Sequence, residues 1–123
     1  MTKKNILIVD DSASVRQLVS IWLGRAGYDV IEGHDGQDAL SKLTGQKVHL
    51  IISDVNMPNM DGISLVKAVK ALPAYKFTPI VMLTTESQEA KKREGQAAGA
   101  KAWVVKPFKP DQLLDVVQKL VMP

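Results

Sequence analysis

The chain has 123 residues, 46% of them hydrophobic and 24% charged, which is typical of one globular domain with a buried core. It has no cysteine, which excludes disulfides and thiolate metal sites, and no apolar run long enough to span a membrane. Its net charge is +3, but its basic residues are dispersed and only 5% of its residues are aromatic, so we expect no nucleic-acid or membrane partner. The N-terminus does not resemble a signal peptide, which predicts a cytoplasmic protein.

The first predicted elements are a strand and a helix. A continuous apolar run at residues 6–9 predicts a buried strand, which ends at Asp10 and Asp11. Ser12 and Ser14 are both candidate caps for the helix that follows, and a capping box begins at Ser14. The predicted inward face of this helix consists of Val15, Leu18, Val19, Trp22 and Leu23.

Two more strands are predicted in the first half of the chain, at residues 28–31 and 49–53. Apolar residues at helical spacing predict a short helix around residues 39–43 between them. The third strand runs directly into Asp54. The loop after Asp54 is rich in turn-forming residues, namely Asn56, Pro58, Asn59, Asp61 and Gly62.

The second half continues the alternation of helices and strands. A third helix is predicted to end before Pro73, and a fourth strand at residues 79–83 is followed by Thr84. A fifth strand at residues 102–105 is followed by Lys106. The last helix has a predicted apolar face made of Leu113, Leu114, Val117, Leu120 and Val121.

The fourth helix is unusual because it is polar almost throughout. Ser87 is its candidate cap, the helix runs to about residue 98, and Gly95 lies in its interior, where glycine costs about 1 kcal/mol relative to alanine. Its only expected inward residues are Ala90, Ala97 and Ala98. We therefore expect it to be the least tightly held helix.

Five strands that alternate with five helices predict an α/β fold, in which a parallel sheet is covered by helices on both faces. We expect residues 1–123 to form a single domain. Because the chain ends just after the fifth helix, we expect no output domain.

Polar residues follow four of the predicted strands. Asp10 and Asp11 follow the first strand, Asp54 the third, Thr84 the fourth and Lys106 the fifth. The carboxyl ends of parallel strands meet at one edge of a sheet, so these side chains are expected to share one small pocket.

Three carboxylates in one pocket repel each other, by roughly 4 kcal/mol for a pair 4 Å apart at an effective dielectric of 20. A single lysine cannot neutralise them. Oxygen ligands without histidine or cysteine favour a hard cation, which predicts Mg²⁺, with Mn²⁺ as an alternative.

A cation, a lysine, a hydroxyl and a carboxylate nucleophile together suit phosphoryl transfer, which needs positive charge around the phosphoryl oxygens. Asp54 is the best-placed nucleophile and would form an acyl phosphate. The metal, Lys106 and the hydroxyl of Thr84 would each stabilise a phosphoryl oxygen.

At this point the chain resembles a response-regulator receiver domain, and more narrowly the stand-alone chemotaxis response regulators. The resemblance covers the whole chain. It is carried by the acidic pair, the phosphoacceptor Asp54, the hydroxyl of Thr84 and Lys106 in order. The segments IVDDS, SDVNMPNMDG and WVVKPF also match. It implies a flavodoxin-like fold with strand order 2-1-3-4-5, a histidine kinase as phosphodonor, and a monomer that catalyses only its own phosphorylation and dephosphorylation.

The resemblance also implies how the metal is held. Asp11, Asp54 and the backbone carbonyl of Asn56 would ligate the ion, and Asp10 would hold metal-bound water. The bond before Pro107 would be cis. Asn56 and Glu86 would flank the phosphoryl group and influence its lifetime, which we expect to be minutes or shorter.

Activation in the family couples the Thr84 hydroxyl to an aromatic residue on strand five, here Trp103, where the family usually has Tyr or Phe. The output surface would comprise helix four, strand five and helix five, with Lys91, Lys92, Gly95, Gln96, Lys101 and Trp103 on it. Helix four offers almost no apolar anchor, which argues against the flagellar motor switch as the downstream partner. A phosphate sink or a regulator in a non-motor pathway is the alternative.

Two other classes of protein have similar features. A phosphatase of the haloacid-dehalogenase type also phosphorylates an aspartate after a strand, but it requires a general-acid aspartate where this chain has Asn56. A flavodoxin would bind the flavin phosphate at the first loop, where Asp10 and Asp11 would repel it.

Overall fold

The computed structural model describes residues 3–85 and 89–123. The strands are β1 (Asn5–Val9), β2 (Asp29–Gly33), β3 (Leu50–Asp54), β4 (Ile80–Thr85) and β5 (Ala102–Lys106). The helices are α1 (Ala13–Arg25), α2 (Gly36–Ser41), α3 (Gly62–Lys70), α4 (Glu89–Ala98) and α5 (Pro110–Leu120), and a 3₁₀ turn lies at Pro73–Tyr75.

The strands form one parallel sheet in the order β2-β1-β3-β4-β5. This confirms the predicted α/β, flavodoxin-like fold, with β1 and β3 at the centre. The order reverses direction beside β1, so the carboxyl ends of β1 and β3 border the crevice where ligands bind in such sheets.

Both faces of the sheet are covered, which explains why its central strands are continuously apolar. The side chains of Leu7 and Ile51 lie on the face of the sheet that packs against α3. Those of their neighbours Ile8 and Ile52 lie on the opposite face, which packs against α1 and α5. All four are fully buried.

For α1 the candidate cap Ser12 is confirmed, whereas the capping box at Ser14 and the inward position of Leu18 are wrong. Its N-cap is Ser12, whose side chain accepts a hydrogen bond from Val15 N–H, whereas Ser14 already lies within the first turn. Leu18 is 49% exposed because the buried stripe of the helix is narrow and is formed by Val19 and Leu23.

The prediction for α4 is also largely wrong. Ala90 and Ala97 are exposed and only Ala98 packs, in part, against the core. The buried position is Gly95, which the sequence had placed on the output surface. The residue of α4 that faces the sheet is therefore the one that has no side chain. Ser87, the predicted cap, lies outside the described residues.

Candidate functional site

Three carboxylates meet at the carboxyl end of β1 and β3. Asp10 follows β1 and Asp54 is the last residue of β3, and the pairing of Val9 with Ser53 places them side by side. One oxygen from each of Asp10, Asp11 and Asp54 lies within 4.8 Å of the others. Asp10 and Asp54 are buried, with 0% and 8% exposure, whereas Asp11 is exposed. In residues 3–85 and 89–123 this is the only such group of potential metal ligands.

Lys106 reaches this cluster from the end of β5. Its Nζ lies 3.1 Å from Asp10 Oδ2 and 3.3 Å from Asp54 Oδ1, so one ammonium bridges the two buried carboxylates. Burial alone would lower the pKa of Lys106, but the charges of Asp54 and Asp10 outweigh it and raise the pKa. Lys106 therefore stays charged. Its bond to Pro107 is cis, as the resemblance implied.

Asp54 lies in a setting that disfavours its charge. Burial raises the pKa of Asp54, and the neighbouring Asp10 raises it further. Lys106 and the Val55 N–H, which donates to Asp54 Oδ1 at 2.9 Å, act in the opposite direction without cancelling the increase. One lysine is thus insufficient to neutralise the buried carboxylates, and the site favours the binding of a further cation.

Thr84 lies at the same edge of the sheet, near the end of β4. Asp54 pairs with Leu83, so Thr84 stands one residue further along the neighbouring strand. It is 2% exposed, and its Oγ1 donates a hydrogen bond to the Thr85 carbonyl at 3.1 Å. The strands thus bring together Asp10, Asp11, Asp54 and Lys106, with Thr84 on the adjacent strand.

The loop after Asp54 is held close to the site. The Gly62 N–H donates to the Val55 carbonyl at 2.8 Å, and a Cβ at position 62 would collide with the Asp54 carbonyl. Asn59 has a φ of 68° and donates from Nδ2 to Asp35 Oδ2 at 2.9 Å. Gly62 is therefore required by close packing, and Asn59 connects the loop to the start of α2.

Two contacts that support the site were missed in the sequence. Arg16 Nη1 donates to the Asp10 carbonyl at 2.7 Å, and Ser12 N–H donates to Asp10 Oδ1 at 2.9 Å. Side chains in the first turn of a helix point back toward its N-terminus. The position of Arg16, one turn after the acidic pair, could therefore have indicated its contact with Asp10. The Asn59–Asp35 contact had no comparable signal, because the two residues are far apart in the sequence.

Other residues named from the sequence lie elsewhere. Asn56 is exposed in the loop after Asp54, and Glu86 lies outside the described residues. Trp103 is partly buried and packs against the core cluster on the α3 side of the sheet. His49 lies just before β3, at the opposite edge from the carboxylates.

Comparison with known proteins identifies the architecture. The model of the response regulator receiver domain matches residues 6–118. The chain belongs to this family. Receiver domains are phosphorylation-activated switches of two-component signalling and not classical enzymes, and they typically bind Mg²⁺ at an acidic cluster of aspartates.

Several of the receivers that resemble this chain are chemotaxis proteins. Chemotaxis protein CheY1 of Helicobacter pylori is 39% identical over 115 residues, which is 92% of this chain and 93% of that protein. The CheY homolog of Campylobacter jejuni is 38% identical over 118 residues, covering 94% of this chain and 91% of that protein. The structure of chemotaxis protein CheY4 of Vibrio cholerae superposes with a TM-score of 0.93 at 51% identity, covering 98% of this chain and all of that chain.

The longest helix of the described residues, α1, has 13 residues. In the described residues, no helix combines the length and the apolar character that crossing a bilayer requires.

Proposed function

We propose that this receiver accepts a phosphoryl group on Asp54 from a histidine kinase and then signals to a downstream protein. One observation carries the proposal: Lys106 Nζ lies within 3.3 Å of both Asp10 and Asp54 inside a cluster of three carboxylates. A buried carboxylate with a raised pKa and a neighbouring ammonium is typical of a functional site. An ordinary surface turn at the end of a strand would not require either.

The transfer step follows from this arrangement. An oxygen of Asp54 attacks the phosphorus, and the bond from phosphorus to the donor's imidazole nitrogen breaks with its electron pair left on that nitrogen. The product is an acyl phosphate. The Lys106 ammonium and the Thr84 hydroxyl stabilise the phosphoryl oxygens, while the Val55 N–H orients the attacking carboxylate.

The donor set fits Mg²⁺, because all three side chains offer carboxylate oxygens that lie close enough to share one ion. We assign Asp11, Asp54 and the backbone carbonyl of Asn56 as its ligands, and Asp10 as the partner of metal-bound water. Bound Mg²⁺ would supply the positive charge that one lysine cannot. Mn²⁺ has the same preference for oxygen ligands and would substitute for it.

The chain would also return itself to the resting state. Water attacks the phosphorus, phosphate leaves, and the Asp54 carboxylate is restored. Asn56 and Glu86 are proposed to orient that water, with a phosphoryl lifetime of minutes or shorter. If Asn56→Ala and Glu86→Ala left the dephosphorylation rate unchanged, this assignment would be wrong.

The proposal is tested by intact-mass measurement of the protein incubated with acetyl phosphate. We expect one phosphoryl group per chain with Mg²⁺ present, and none when EDTA removes the metal. Asp54→Asn should remain unmodified, whereas Asp115→Asn, which changes an exposed residue of α5, should react like the wild type. Phosphorylation of Asp54→Asn to the wild-type level would contradict the proposal.

Signalling is proposed to use the surface formed by α4, β5 and α5, and Thr84 and Trp103 are proposed to report phosphorylation to it. Gln96 and Lys101 are exposed on this surface, Lys91, Lys92 and Trp103 are partly exposed, and Gly95 is buried. Because the relatives described above are named as chemotaxis proteins, chemotaxis is the proposed pathway. The charged character of α4 favours a polar partner over one that inserts an apolar anchor.

A phosphate sink or a regulator of a non-motor pathway is the second candidate, and the same polar surface favours it. The measurement that separates the two is binding of the beryllofluoride-activated protein to the flagellar motor-switch protein. Binding that depends on activation would support the motor pathway. Absence of binding, together with rapid phosphoryl transfer from a shared kinase, would support the sink.

A further inference from the structure

The contact between α4 and β5 is made by an unusual pair of residues. Gly95 is the one buried residue of α4 among positions 90–98, and the indole of Trp103 lies directly against it. A Cβ at position 95 would lie 2.6 Å from Trp103 Cζ3 and 3.2 Å from Cη2. The first distance is too short for carbon atoms that are not bonded, so no residue larger than glycine fits without moving the ring.

The strand register connects this contact with the candidate site. Trp103 pairs with Met82, and Thr84 pairs with Val105 two residues further along. Alternate residues of a strand share a face of the sheet, so the side chains of Thr84 and Trp103 stand on the same face of adjacent strands. The indole that packs against Gly95 of α4 therefore stands on the same face of the sheet as the Thr84 hydroxyl.

Glycine in a helix interior is unfavourable, and α4 has few apolar side chains to compensate for it. Gly24 in α1 differs, because a Cβ there would meet nothing within 4 Å. Comparing Gly24 with Gly95 therefore separates two effects. Replacing either glycine with alanine changes helix propensity, but only at position 95 does the added side chain meet the Trp103 ring.

We propose that Gly95 is the positioning residue for Trp103: its missing side chain provides the space in which the large indole lies inward against α4. The functional consequence rests on the proposed role of Trp103 as the residue that reports phosphorylation. The inward indole ring packs directly against α4 at Gly95. A displacement of α4 relative to β5 then changes the space available to the ring.

Gly95→Ala in the full chain tests the proposal, with Gly24→Ala as the matched control. Two-dimensional NMR resolves the indole N–H signals of Trp103 and Trp22, and Trp103→Phe assigns them. In the unphosphorylated protein we expect Gly95→Ala to shift the Trp103 signal and to increase its accessibility to a soluble paramagnetic agent. The Trp22 signal should not move, and Gly24→Ala should leave both signals in place.

Rescue by a smaller ring separates positioning from a general loss of structure. Gly24→Ala should raise Tm by roughly 3–5 °C because alanine favours helix. Gly95→Ala should give no such increase in the wild-type background. In the Trp103→Phe background, where the ring is smaller, the same substitution should give an increase that approaches the one for Gly24→Ala.

The outcome is independent of whether Asp54 is phosphorylated, because both measurements use the unmodified protein. An unshifted Trp103 signal in Gly95→Ala, with a gain in Tm equal to that of Gly24→Ala, would overturn the proposal. Acetyl phosphate then tests the consequence for switching. Gly95→Ala should retain phosphorylation of Asp54 but lose most of the shift that phosphorylation induces in the Trp103 signal, and retention of the full shift would overturn the functional part.

Discussion

Polar groups are paired differently at the two edges of the sheet, the carboxyl edge and the amino edge, where the strands end and begin. At the carboxyl edge, Asp10 and Asp54 are buried side by side and share a single ammonium from Lys106. At the amino edge, several polar side chains are instead paired with neutral backbone groups. Tyr75 Oη accepts from Gly45 N–H at 2.8 Å and donates to the Gln46 carbonyl at 2.9 Å.

Other groups near the amino edge follow the same rule. His49 Nδ1 accepts a hydrogen bond from Asn5 N–H at 3.0 Å, and Lys70 Nζ donates to the Thr78 carbonyl at 2.7 Å. Groups satisfied in this way contribute to stability, whereas neighbouring buried carboxylates reduce it. The carboxyl edge is thus built at the expense of stability, as is common at functional sites.

The largest effect is expected when Asp54 is replaced. Asp54→Asn should abolish phosphorylation and, without Mg²⁺, should raise Tm by roughly 4 °C, or about 1 kcal/mol, because it removes a buried charge whose pKa is raised by burial and by Asp10. Thermal unfolding in EDTA measures this. A loss of stability would mean that the Asp54 charge stabilises the fold and that the two edges do not differ as described.

Removing the ammonium that bridges the two buried carboxylates should have the opposite effect on stability. Lys106→Met should destabilise the metal-free protein by about 2–3 kcal/mol, since it leaves the two buried carboxylates without the ammonium that lies between them. Urea unfolding measures the change. In the Asp54→Asn background the same substitution should cost less, because one carboxylate is already gone, and equal costs in both backgrounds would contradict the account.

At the amino edge, Tyr75→Phe should reduce stability without affecting function. The substitution removes one acceptor and one donor from the backbone at Gly45 and Gln46, which should cost about 1–2 kcal/mol. The rate of phosphorylation by acetyl phosphate should stay within error of the wild type. A slowed rate would show that the two edges are coupled.

The smallest effect concerns pH. Burial and the nearby Lys47 and Lys4 lower the pKa of His49 below 6.5. Below pH 6.5 the unfolded chain binds a proton that the folded chain does not, so stability should fall as the pH decreases through this window, by at most about 1.4 kcal/mol per pH unit. His49→Asn should remove this component, and an unchanged pH profile would contradict the assignment.

Most of the site could be predicted from the sequence because its residues lie at the ends of apolar runs. Asp10 follows a clearly apolar strand, and Asp54 and Lys106 each end one. The parallel topology brings the carboxyl ends of these strands to one edge of the sheet. The fold could be predicted for the same reason, since five apolar runs alternate with helical patterns.

What could not be predicted depends on contacts across the fold. The inward side of α4 was misassigned because hydrophobicity marks alanine as buried and glycine as neutral, whereas the residue that packs against the Trp103 indole is Gly95. Likewise, the connection from Asn59 to Asp35 depends on how α2 packs beside the loop. Local patterns contain no information on either contact.

The assignment of Asp54 as the phosphoacceptor is tested most directly by chemical mapping. The protein is phosphorylated with acetyl phosphate and Mg²⁺ and reduced with borohydride, which converts an aspartyl phosphate to homoserine, and its peptides are sequenced by mass spectrometry. We predict homoserine at position 54 alone, while Asp10 and Asp11 stay unmodified. Homoserine at position 10 or 11, or its absence from position 54 in a protein that carries phosphate, would contradict the account.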